Sequence, residues 1–123
     1  MSDVVVTVPK AMWFDWIEEG DLPGEPPSGY TSHFWLFPFA IPRIVPGERV
    51  YIVAHGRLRG YAPLRAVESF CTMDERKACL MRDGDAEAVT IDEPIRGFQG
   101  WRYRWWDRSA ERPFPTWQTE GVS

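Results

Sequence analysis

At 123 residues the chain has room for one domain with a single core, which excludes a two-domain architecture. Its 44% hydrophobic and 26% charged residues exclude a disordered or fibrous chain. A net charge of −4 argues against indiscriminate attraction to nucleic acid, and no run nears ~18 consecutive apolar residues, so no membrane span is expected.

Val4 to Val8 reads as a short apolar strand. Pro9 suits the first turn of a helix, where its missing N–H is no loss. Over residues 11–19, Met12, Trp13, Trp16 and Ile17 fall on one face at helical spacing, and Asp15, Glu18 and Glu19 on the other. Gly20 can cap that helix. Residues 21–29, DLPGEPPSG, form a loop dense in Pro and Gly. Residues 30–39 predict a strand apolar on both faces, the pattern of a closed or covered sheet. Pro46-Gly47 turns the chain into a strand over 49–55. Gly56, Gly60 and Pro63 mark a bend or bulge before a strand over 64–70. Asp83-Gly84-Asp85 predicts a hairpin joining 77–82 to 86–91. A strand over 101–106 follows, and a Pro-rich tail (108–123) packs back through Phe114 and Trp117. The sum is an α+β fold of six or seven short strands with one helix after the first strand.

Charge and ring content are uneven. Arg accounts for 12 of the 14 cations, and five Arg fall in residues 31–65 against one acid. Four more fall in residues 101–123 against three acids. Arg grips phosphate and carboxylate with a planar fork and stacks on rings. Aromatics make up 15% of the chain, seven of them Trp. Some of these rings are expected to line a surface or pocket, since Trp has an N–H to satisfy. Asp3 and the five-residue apolar-rich run beside it do not form a secretory signal. Cys71 and Cys79 have no metal-ligand spacing around them, so a reduced, cytoplasmic protein is expected, with no metal and no cofactor.

The order of these pieces resembles the PUA-like superfamily, in its ASCH and EVE group. The residues that carry the resemblance are the helix ending in Gly20-Asp21-Leu22, the segment PGERVYIVAHGRLRGYAPL (46–64) and the closing GFQGWRYRWWD (97–107). It covers residues 3–107. The resemblance implies a small pseudo-barrel whose ligand is RNA or a modified nucleotide, held between the barrel and the helix after the first strand. Some ASCH members resemble amidohydrolases of modified cytidines that use a Lys, a Thr and a Glu, and their helix carries a G-x-K-x-x-T-x-R signature. Here the matching region reads PKAMWFDWIEEGDL: Lys10 is present, but Trp13 stands where the Thr would be. No catalytic residue is carried over.

Two motifs stand out. In an extended strand Trp101, Tyr103 and Trp105 share one face of WRYRWWD, and Arg102, Arg104 and Trp106 the other. Rings interleaved with guanidiniums suit a base to stack and a phosphate to hold. They equally suit a core face backed by a solvated one. In HGRLRGY, Arg57 and Arg59 sit between glycines that let a ligand approach, with Tyr61 beside them. Trp13 and Trp16 on the helix can wall the cleft beside Trp35. His33 and His55 read as structural. The expected function is a non-catalytic RNA or modified-base module. Trp13, Trp16, Trp35, Tyr61 and Trp105 would stack or line the site, and Arg57, Arg59 and Arg104 would hold phosphate. The alternatives are a small hydrolase of a modified nucleoside, with Lys10, Glu68 and Thr7 as its candidates, and a protein-interaction domain.

Overall fold

β1 (Val4–Thr7) is four β-branched residues in a row, side chains whose stiffness at χ1 favours extended backbone. The structure is a computed structural model. It describes residues 3–14, 32–37, 43–71, 76–83, 86–98 and 100–120. The remaining strands are β2 (Ser32–Phe37), β3 (Arg49–Ala54), β4 (Arg57–Cys71), β5 (Arg76–Asp83), β6 (Val89–Thr90), β7 (Trp101–Tyr103) and β8 (Arg112–Pro113).

Six strands form one mixed sheet in the order β2-β5-β4-β3-β1-β7. β1 runs parallel to β3, and the other ladders are antiparallel. β6 pairs with β8 in a separate two-stranded ladder, linked to β4 by a bridge between Tyr61 and Glu87.

The centre of the sheet is covered on both sides. Val4, Val6, Val50 and Ile52 enter one core, and Val5, Tyr51 and Val53 enter another. All seven are fully buried. That is why β1 and most of β3 read as near-continuous apolar runs and not as alternating ones. The C-terminal tail closes the first core with Phe114 and Trp117, as its sequence implied. Ile91, Ile95 and Trp106 close the second.

The structure corrects the expected architecture at several points. The bend or bulge expected at Gly56–Pro63 is a bulge, but it lies inside one 15-residue strand that starts directly after the His55-Gly56 turn and does not precede a separate strand over 64–70. Pairing jumps from Ile52↔Gly60 to Val53↔Leu58, which leaves Arg59 as the extra residue. Among the described residues β5 does not pair with β6, because β2 and β4 already occupy its two edges; Gly84 and Asp85 of the expected turn lie outside those residues. The chain instead bridges to Tyr61 and then pairs with the tail. β7 is shorter than expected and ends at Tyr103. Among the described residues the sheet has two open edges, β2 and β7, so no hydrogen-bonded barrel closes.

The helix expected over 11–19 begins as a 3-10 turn, Lys10–Met12, and Trp13 and Phe14 continue it. Residues 15–20 lie outside the described residues, so the described architecture is strand-dominated. Met12, placed by its spacing on the apolar face, is exposed, and only Trp13 of this turn is buried. Among the described residues no helix is long and apolar enough to cross a membrane.

Candidate functional site

Among the described residues, a cavity lies toward each end of β3. The smaller, about 190 Å³, sits where β1 and β3 both end, and its lining includes Thr7, Lys10, His55 and Gly97. Its walls are fastened to one another. Val8 N–H donates to Val53 O at 2.8 Å, and Ile95 N–H to Gly56 O at 2.9 Å. Phe98 N–H donates to Thr7 Oγ1 at 3.3 Å. Gly97 allows this approach, because a Cβ there would stand 3.2 Å from Thr7 Cγ2.

His55 is the unusual wall. It and Gly56 are the two residues between paired Ala54 and Arg57, with φ of 49° and 76°. Positive φ at both positions is the pattern of a type I′ hairpin, which prefers Asn-Gly. A histidine there is uncommon. Among the described residues, His55 Nε2 is the buried side-chain polar atom without a hydrogen-bond partner. Its ring meets Trp13 edge to face at 5.8 Å. Burial pushes its pKa below the usual histidine value, and the charges of Arg59 and Lys10 push it the same way. The imidazole is therefore neutral at pH 7, with one ring nitrogen a donor and the other an acceptor. Lys10 is exposed at the rim.

The larger cavity, about 540 Å³, is an open cleft between the start of β3, residues 86–89 and residues 108–113. Arg49 sits over the Tyr61 ring, its guanidinium carbon 4.0 Å from the ring centre. Tyr61 donates to Glu87 Oε2 at 2.7 Å. The Glu111 carboxylate accepts from Tyr51 Oη at 2.6 Å, Trp106 Nε1 at 2.9 Å and Arg49 Nη1 at 3.0 Å. Burial and then the Glu111 charge push the Tyr51 hydroxyl well up, so it stays a donor. Arg108 and Arg112 stand on the rim, about half exposed.

Among the described residues, those expected to bind a ligand are not brought together. Trp13 is fully buried, with Nε1 donating to Gln118 O at 3.0 Å, so it is a core residue. Arg59 is also fully buried. It donates to the carbonyls of Ala54 (2.9 Å), Trp117 (2.9 Å) and Glu120 (2.7 Å), and no phosphate reaches it. Arg57 is drawn to the tail, 2.6 Å from Glu120 and stacked 4.5 Å from the Phe114 ring centre. Arg104 is bound to buried Asp3 at 3.0 Å. Trp105 is exposed, with Nε1 2.8 Å from Glu93 Oε2. Tyr61 lines the larger cleft, and Lys10 and Thr7 share the smaller pocket. Trp16 and the side chains of Trp35 and Glu68 lie outside the described residues.

Sequence reasoning missed Asp3, Tyr51, Arg108, Glu111 and Arg112, and it assigned His55 a purely structural part. For His55 a signal existed: a His-Gly pair between two strands, at a turn that prefers Asn-Gly. No family model, curated protein or solved structure matches the chain.

Proposed function

We propose that this protein is a non-catalytic module that binds RNA or a modified base, with one base seated in the pocket beside His55. The orphaned Nε2 carries the proposal. A buried polar atom left unpaired costs about 1–3 kcal/mol, and a base edge recovers that cost when a turn of the ring brings Nε2, shielded from solvent in the empty pocket, to face it. A neutral imidazole can pair with the donors or acceptors of such an edge. The pocket's volume, about 190 Å³, falls below the ~300 Å³ that drug-sized ligands need, so it suits a single ring system. Lys10 at the rim supplies a cation for a phosphate, which positions the ligand, while pocket shape and the base edge select it.

The fold we propose is the PUA-like pseudo-barrel of the ASCH and EVE group. Its support is the pocket's position, between the sheet and the helical turn that follows β1, where that resemblance puts a ligand.

Trp13 touches the His55 ring, so its fluorescence reports on the pocket. Titration with single-stranded RNA, duplex DNA and modified nucleosides should give saturable quenching by one class. His55→Asn should weaken that binding at least tenfold, which is about 1.4 kcal/mol. An equal response in wild type and His55→Asn would sink the proposal, as would no response to any of them.

A hydrolase of a modified nucleoside is the second reading, favoured by Thr7, Lys10 and His55 sharing one pocket. It predicts a new nucleoside product by mass spectrometry after incubation, and none with Lys10→Met.

A further inference from the structure

We infer that the cleft between Arg49, Tyr61 and the Arg108–Arg112 rim is a second binding site, for a phosphomonoester with a flat organic body. Its ends of different chemistry support this. Ala86, Ala88, Val89 and Pro113 give an apolar wall, and the arginines give a cationic rim. At about 540 Å³ it has the size and mixed lining of a small-molecule site.

The cations arrive from three places: Arg49 from β3, Arg108 from a short 3-10 turn and Arg112 from β8. A splayed set of forks suits a tetrahedral group with three terminal oxygens better than a planar carboxylate with two. The acids nearby are engaged. Glu111 accepts from three donors, and Glu87 accepts the Tyr61 hydroxyl. Arg108 shares buried Asp3 with Arg104, which puts two cations on one carboxylate. Arg112 is held only at the surface, 2.8 Å from an Asp92 that is 90% exposed. Such a pair is weak, and an incoming phosphate can displace it. The Arg49–Tyr61 cation–π pair lines the cleft and gives a flat ligand body a surface to rest on.

This site is independent of the pocket at His55, and amide NMR of the whole chain separates the two. The probes are inorganic phosphate, a nucleoside 5′-monophosphate, its parent nucleoside and malonate, at matched ionic strength. We expect the monophosphate to shift the amides of residues 86–89 and of Arg112, and to bind more tightly than inorganic phosphate. Malonate should bind more weakly than either. Arg112→Ala should weaken monophosphate binding about tenfold, and Asp92→Asn should tighten it about twofold. Shifts around His55 from the same probe belong to the first pocket and are read separately. Unchanged affinity at residues 86–89 in Arg112→Ala, no shifts at 86–89 and 108–113, or malonate matching phosphate there would overturn the inference.

Discussion

A guanidinium with no exposure has to find its acceptors inside the protein, and Arg59 finds them on the backbone. The bulge opposite Ile52 and Val53 places it there. Its donors reach Ala54 in β3 and the tail carbonyls of Trp117 and Glu120. Burial pushes its pKa down to about 10, with Arg57 adding to the effect, so it remains charged at neutral pH. Arg59→Met keeps the apolar stem but leaves those carbonyls without donors. At about 1–3 kcal/mol for each buried group, the variant should lose roughly 3 kcal/mol or more. Thermal unfolding followed by circular dichroism should then fall by about 10 °C for a domain of this size. Arg59→Lys should recover only part, because one ammonium does not span a forked set of acceptors. A shift under ~2 °C for Arg59→Met would mean that the carbonyls find water instead, and that the tail is not tied down by this residue.

At the scale of elements, the β3–β4 hairpin separates stability from binding. His55 pays the strain of positive φ, which asparagine tolerates better. His55→Asn should therefore hold or raise the melting temperature, while the base binding we propose for the His55 pocket should weaken. Gly56→Ala meets open space but keeps φ at 76°, so it should destabilise by about 1 kcal/mol through the backbone alone. Equal losses of stability in both variants would show that the turn is not the limiting conformation. The strands themselves were legible in the sequence, because β-branched runs and Pro-Gly turns are local signals. The false hairpin at 83–85 was also a local signal, and it was overruled by which edges of β5 were free. Arg59 is a similar case: the glycines around it implied an open approach for a ligand, and the bulge together with the tail carbonyls buries it instead. The polar clusters were not legible, since Tyr51 and Glu111 are 60 residues apart and Asp3 and Arg108 are 105 apart. No local pattern encodes pairings of that range.

For the whole molecule, those long pairings set how stability responds to acid. Asp3 opens the chain into β1 and receives Arg49 N–H at 2.9 Å, Arg104 Nε at 3.0 Å and Arg108 Nη2 at 2.9 Å. Burial alone would raise its pKa, but the Arg49 N–H and the two guanidiniums outweigh it and hold the carboxyl below 3.8. The folded state therefore binds fewer protons than the unfolded state below that value. The stabilisation is present above pH 3.8 and is lost as pH falls through the folded pKa. His55 acts earlier by the same sign. Its folded pKa lies below 6.5, so stability declines as pH drops from 6.5 toward that folded value. Urea unfolding from pH 8 to pH 2 should show two declining limbs. His55→Asn should flatten the upper limb and spare the lower. Asp3→Asn should flatten the lower limb and cost about 1–3 kcal/mol at pH 7, because the buried acceptor loses its charge while the two guanidiniums, partly exposed, remain solvated. An upper limb unchanged in His55→Asn would mean that the imidazole titrates as it does in the unfolded chain. Its ring nitrogen would then be open to solvent, and the base pocket would lose the group proposed to read its ligand.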